Sequence, residues 1–522
     1  MGKVSIQVIQ VVCAVTWSLL AAGPIFGFAA LKPILISEGV YSGLCPVDNG
    51  GNAGDGIPCS AQDLKLNMMF TVGAGTTNVV ALLVGWVLDN YGIRACGFLG
   101  SGFLAAGALS LASGSSITVL DPYILGYVLL AIGGPFVFIS SFPLANNFPA
   151  KSGTVLALLI GAFDTSSALF FFYRLMYQNW IPNLTLRKFF TCYLVVPLFI
   201  FVCQLFIMPR GSHKTLGAVQ KMEIEGLDED GNLPSGEDGS HIIPDEEERQ
   251  SLVSGHSRQV GPVLSSSSRR RSMWENYVES KLEKKTKGVF GVMHGYPVRR
   301  QVNSPWFGIM LVFTVICMLR INYFVATIRS QEEYLLGDAA AAKRINSIFD
   351  IALPLGGVVS IPFIGLVLDH CSTLTALTSV VVISTTIGVL GLFPSFTPNL
   401  VGILCLVAYR PYYYTVVSDY CSKVFGFETF GTVYGLLMCI SGLCNMGQNI
   451  LDRLTHTKFK MNPTPINSVL VAITVVSGSV LLIFVSRESK HREEKIKQLK
   501  LLAETTDETE TPQQPNATYG SL

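Results

Sequence analysis

The chain has 522 residues, enough for two or three soluble domains, yet half are apolar, 14% are charged and the formal net charge is +1. Of the 73 Lys, Arg, Asp and Glu, Pro209–Asn303 holds 28 and Arg487–Leu522 holds 13; the other 391 residues hold 32, about 8% against the ~25% of soluble domains. A soluble enzyme and a nucleic-acid binder are excluded, and a polytopic protein whose first partner is the lipid bilayer remains.

Twelve stretches carry the roughly 20 mostly apolar residues that a helix needs to cross a bilayer. They fall at about 8–31, 64–88, 95–113, 122–142, 153–173, 190–208, 306–327, 346–368, 374–393, 398–417, 429–449 and 467–486. The expected fold is an all-α membrane protein of twelve transmembrane helices. The charge of Ser268–Arg271, Lys281–Lys287 and Lys490–Lys497 places both chain ends and the long central loop in the cytosol. That central loop runs acidic, then Ser/Arg-rich, then basic, which is the composition of a disordered segment. Of twelve cysteines, only Cys45 and Cys59 share an external loop, where a disulfide between them would close it. The seven histidines are scattered without metal-ligand spacing, and no Gly-rich phosphate loop with a following Lys is present, so neither a metal nor a cofactor is expected.

The chain repeats itself. Gly85-Trp-Val-Leu-Asp89 recurs as Gly365-Leu-Val-Leu-Asp369, Gly153-Thr-Val155 as Gly431-Thr-Val433, and Pro135 as Pro411, with offsets of 280, 278 and 276. The organisation is therefore a six-helix bundle over 1–208, a linker over 209–303, a second bundle over 304–486 and a tail over 487–522. Gly85-x-x-x-Asp89-x-x-Gly92-x-Arg94 lies between spans two and three. Gly85 allows close helix approach and Gly92 lets the loop turn. Asp89 is placed to meet the positive end of a helix from the other half, with Arg94 as its local partner. In the second copy His370, Cys371 and Ser372 follow Asp369 with no arginine, so only the first latch is expected to matter strongly.

This plan and motif resemble the major facilitator superfamily, although Asn90 and Ala95 stand where its pattern usually has further bases. Within it, Gly161-Ala-Phe-Asp164-Thr-Ser-Ser167 in span five, Leu319-Arg320-Ile-Asn-Tyr323 in span seven and the Ala22–Pro33 stretch resemble the solute carrier 43 group, in a fungal-type branch. That resemblance implies a carrier of small neutral solutes, either large neutral amino acids or purine nucleobases.

Ionisable groups inside spans are costly and functional by default. Asp164, with Thr165–Ser167 beside it, is a candidate amine partner, proton site or base acceptor; the alternative is a helix-pinning network. Arg320 is a candidate carboxylate clamp, or a partner for Asp164. Tyr323 and Tyr413 join the candidate substrate residues, Tyr413 as part of the Tyr412–Tyr414 cluster near Arg410. So do Asn445 and Gln448, three apart on one face of span eleven. The leading expectation is a monomeric alternating-access carrier of neutral amino acids, by facilitated diffusion or with protons coupled through Asp164. A nucleobase facilitator and a solute receptor without net flux are the alternatives. The vacuolar and plasma membranes are both compatible.

Overall fold

The computed structural model describes residues 6–45, 60–114, 121–148, 151–181, 183–209, 289, 291–426 and 428–509. Among them, nine helices are long and apolar enough to cross a membrane, and eleven if two bent pairs each count as one span. The 49-residue Leu64–Ala112 element is itself two helices fused at Gly92, whose φ of 80° breaks the α-helical path. That brings the number to twelve.

In chain order, α1 is Ile6–Ala22 continued at a 43° bend by Pro24–Ser37. The arms of Leu64–Ala112 before and after Gly92 are α2 and α3. Then follow α4 (Pro122–Asn147), α5 (Ser152–Trp180) and α6 (Leu186–Phe206). The second half comprises α7 (Pro305–Leu336), α8 (Ala339–His370), α9 (Thr373–Leu390), α10 (Phe396–Phe425), α11 (Phe430–Thr457) and α12 (Thr464–Arg492).

Short polar caps set where these helices begin. The first turn of a helix leaves backbone N–H groups unpaired, and a bilayer offers no water to take them. Asp121 Oδ1 accepts from the N–H groups of Tyr123 and Ile124 at 3.2 Å, and Asp338 Oδ1 from Ala340 at 2.8 Å. Ser304 and Ser372 cap α7 and α9 in the same way. Gly337 and Ser372 thus turn the chain within a few residues, and consecutive helices run antiparallel.

The last dozen residues of the expected linker belong to the fold. Gly291 and Met293 donate their N–H groups to the carbonyls of Lys423 and Val424 at the end of α10, at 2.9 and 3.0 Å. Gln301, on the short helix Val298–Val302, is fully buried. Its Nε2 donates to the Met293 and Phe425 carbonyls, and its Oε1 accepts from Thr429 at the entrance to α11. The acidic and Ser/Arg-rich part of the linker lies outside the described residues.

The halves meet along two seams, α2 against α11 and α5 against α8, each closed by glycines. Gly85 lies so near the Gly431 carbonyl that a Cβ would sit 1.9 Å from its oxygen. Gly161 and Gly357 face each other in the second seam, where a Cβ on either would come within 3 Å of the other's carbonyl.

Candidate functional site

The two seams end in matching contacts on the face that carries the α2–α3 and α8–α9 turns, here termed the latch face. Asp89, at the end of α2, accepts from the N–H groups of Gly431 at 2.9 Å and Thr432 at 2.6 Å, the first turn of α11. Asp369, at the end of α8, accepts from Gly153 at 2.9 Å and Thr154 at 3.3 Å in the first turn of α5, and from the Thr154 hydroxyl. A carboxylate on the free N–H groups of a helix start satisfies both orphan donors and the helix dipole. The sequence reading of a degraded second copy is therefore corrected: the Gly-x-x-x-Asp spacing suffices for the contact without a downstream arginine. Arg94 also departs from expectation, since its guanidinium donates to the Met208 carbonyl at the end of α6 rather than to Asp89. Gly92 occupies the turn itself, at a positive φ that favours glycine. Gly85→Ala should spread the α2–α11 seam at Gly431. The expected result is a drop of several degrees in thermal unfolding temperature and increased labelling of latch-face cysteines; wild-type values for both would contradict it.

Above the closed latch face lies a central cavity of about 400 Å³, within the range of small-molecule sites. Tyr434, stacked on Phe430 at 5.3 Å and edge-on to Phe142 at 5.5 Å, lies at its latch end. Aromatic rings line one wall: Phe163 stacks on Phe138 at 4.6 Å and meets Phe26 edge-on at 5.8 Å. The polar lining comes from Asn78, Asn322, Asn445, Gln448, Thr77 and Arg410. Asn445 Oδ1, Gln448 Oε1 and Arg410 Nε are buried and have no hydrogen-bond partner among the described residues. Buried polar atoms are rarely left unpaired, so a ligand or water must meet them.

Asp164 is 4% exposed on α5, eleven residues beyond Gly153 and so about 16 Å along the helix from the latch. Its Oδ1 lies 3.6 Å from a terminal nitrogen of Arg410 on α10, an ion pair across the two halves that is too long to be a hydrogen bond. Arg410, not Arg320, is therefore its cationic neighbour.

The remaining sequence candidates separate in space. Arg320 faces a second, small pocket inside the C-terminal half, where it donates to the Ser384 carbonyl at 2.7 Å and hydroxyl at 3.1 Å. Tyr323 is buried with its hydroxyl 2.7 Å from that of Thr455, and Tyr413 is buried with its hydroxyl donating to the Thr314 carbonyl at 2.8 Å. Neither ring lines the central cavity. Of the tyrosine cluster, Tyr414 does. Asn78, Asn322 and the phenylalanines were missed because a lone amide or ring in an apolar run carries no signal of which way it faces. Cys45 enters a disulfide, while Cys59, its expected partner, lies outside the described residues. Among the described residues no cluster of His, Cys, Asp and Glu could hold a metal.

Comparison with known proteins adds to this geometry. The chain is 59% identical to Protein FMP42 of Saccharomyces cerevisiae over 91% of its own length and 94% of that protein. It is 22% identical to Equilibrative nucleobase transporter 1 of Bos taurus over 90% and 94% of the two chains. Large neutral amino acids transporter small subunit 3 of Mus musculus is 32% identical over 32% of this chain and 31% of that one. Among solved structures, the proton:xylose symporter XylE superposes with a TM-score of 0.53 over 92% of this chain and 96% of that chain, at 12% identity. The human organic anion transporter MFSD10 gives 0.54 over 91% and 99%, at 13% identity, and these two likenesses speak for the fold alone. No family model matches the chain.

Proposed function

The chain has the major facilitator fold and belongs to the family of FMP42, and from that premise we propose that it carries a flat, neutral, nucleobase-like heterocycle by alternating access. A membrane transporter of small solutes is the broader reading, and the lining of the central cavity supports the narrower one. A base needs a ring face and paired donors and acceptors; base–aromatic stacking contributes roughly 1–3 kcal/mol in other proteins. Phe26, Phe138 and Phe163 offer the face, and Asn78, Asn322, Asn445 and Gln448 offer the edge.

An amino acid, the leading expectation from sequence, fits less well. A zwitterion needs two opposite charges compensated in a low dielectric. Arg320 lies in another pocket, and Asp164 and Arg410 already face each other, so a bound carboxylate would compete with Asp164 for Arg410. Helix α4 also runs unbroken through Gly133–Pro135, so it presents no half-helix end there to a charged substrate group. The likeness to the nucleobase transporter spans nine-tenths of the chain at 22% identity, and that to the large neutral amino-acid carrier a third of it at 32%.

The mode favoured is uniport. Asp164 sits against a guanidinium across the two halves, a place that suits a structural tie better than a proton carrier. The latch face is assigned to the cytosol and the cavity to the opposite side, in a vacuolar or plasma membrane, with the protein acting as a monomer. The test is counterflow in proteoliposomes. Adenine, guanine or hypoxanthine should exchange saturably at micromolar concentration and be indifferent to an imposed pH gradient. Gln448→Ala should raise the half-saturating concentration about tenfold, the loss of one or two hydrogen bonds. Competition by leucine or phenylalanine in place of purines would return the amino-acid reading, and saturable binding without counterflow would indicate a receptor.

A further inference from the structure

We propose that the pocket inside the C-terminal half binds a small monovalent inorganic anion of chloride size between the Arg320 guanidinium and the Tyr409 hydroxyl. Arg320 stands midway along α7, at bilayer depth, and its two hydrogen bonds go to the neutral carbonyl and hydroxyl of Ser384. It forms no ion pair among the described residues, so its charge is solvated by dipoles and left without a counter-charge. In a low-dielectric interior, an uncompensated cation of this kind is strongly disfavoured.

Three further features fit an anion beside it. The pocket has a volume of about 50 Å³, several times the ~10–15 Å³ that one water requires. Tyr409, on the same lining, is 3% exposed; the Ser384 hydroxyl and Cys317 thiol lie near its hydroxyl, but no described residue meets it in hydrogen-bonding geometry. A buried O–H that donates to nothing calls for an acceptor. Gly388 of α9 makes room for the guanidinium, since a Cβ there would come within 2.3 Å of its terminal nitrogen.

The pocket also holds one acid, Glu332, twelve residues further along α7 and so about 18 Å away along the helix axis. Glu332 accepts from Asn399 Nδ2 at 3.0 Å, while the buried Asn399 Oδ1 has no partner and needs a donor such as water. This far end is too distant to neutralise Arg320. The inference does not depend on the substrate assigned to the central cavity.

The experiment uses the purified full-length chain in detergent or nanodiscs at constant ionic strength, with sodium gluconate replaced stepwise by chloride. The unfolding temperature should rise saturably with chloride, and bromide or nitrate should substitute. Arg320→Gln should abolish the dependence, and Tyr409→Phe should raise the half-saturating chloride several-fold. Equal unfolding temperatures in chloride and gluconate would mean that the pocket holds water only and would overturn the proposal. So would a full chloride response in Arg320→Gln. Where that variant does not fold, an unchanged half-saturation in Tyr409→Phe overturns it instead.

Discussion

Arg410→Ala should be among the most damaging single substitutions in the chain, lowering both the yield of folded protein and its unfolding temperature. The change leaves Asp164, 4% exposed and at mid-depth, without the cation that faces it. Removing one partner of a buried pair typically costs 3–5 kcal/mol, because the other charge remains in a low dielectric. The double change Asp164→Asn with Arg410→Gln removes both charges and should recover most of the lost stability. Uptake should remain depressed, because Arg410 also lines the central cavity. Thermal unfolding of the single and double variants measures the coupling, and counterflow measures the transport component. If Arg410→Ala were as stable as the parent, or the double variant no better than the single, the pair would have no role as a tie between the halves.

Much of the fold was legible because crossing a bilayer imposes a length and composition that no other constraint imitates. The repeat of Gly-x-x-x-Asp located both seam ends. Side-chain direction was harder to read. On α7, Met318, Asn322 and Val325 line the central cavity, whereas Cys317, Arg320, Ile321 and Phe324 line the inner pocket of the C-terminal half. These two sets alternate with the helical period along one apolar segment, so the sequence singled out Arg320 without telling which cavity it faces. The same ambiguity put Tyr413 forward from the Tyr412–Tyr414 cluster, whereas Tyr414 is the member that lines the central cavity. Asp164 was conspicuous as a carboxylate in lipid depth, but its partner stands on another half, and nothing local links the two positions. The second latch was visible as the Gly365–Asp369 repeat but was discounted because no arginine follows Asp369. The backbone N–H groups that bind Asp369 belong to a helix start and have no side-chain signature.

The two latches should together control which face of the carrier is open. Each carboxylate takes two backbone N–H groups from a helix of the opposite half, and these contacts exist only while the latch face is closed. An aspartate-to-asparagine change leaves one acceptor oxygen and removes the charge. Charge-assisted hydrogen bonds contribute about 1.5–3 kcal/mol and the helix dipole a further 0.3–1. A loss of ~2 kcal/mol per latch shifts the closed-to-open ratio about 30-fold, and two independent latches about a thousandfold. Spin labels at the exposed Tyr91 and Glu428, on opposite halves beside the first latch, would read this directly. The single variants Asp89→Asn and Asp369→Asn should give mixtures of a short and a long distance, and the double variant mainly the long one. Counterflow should slow in the same order, since a carrier that no longer closes its latch face waits longer for the outward state. An Asp369→Asn variant identical to the parent would reduce the mechanism to a single latch at Asp89. An unchanged distance in the double variant would leave the glycine seams, with Gly85 against Gly431, as what holds this face shut.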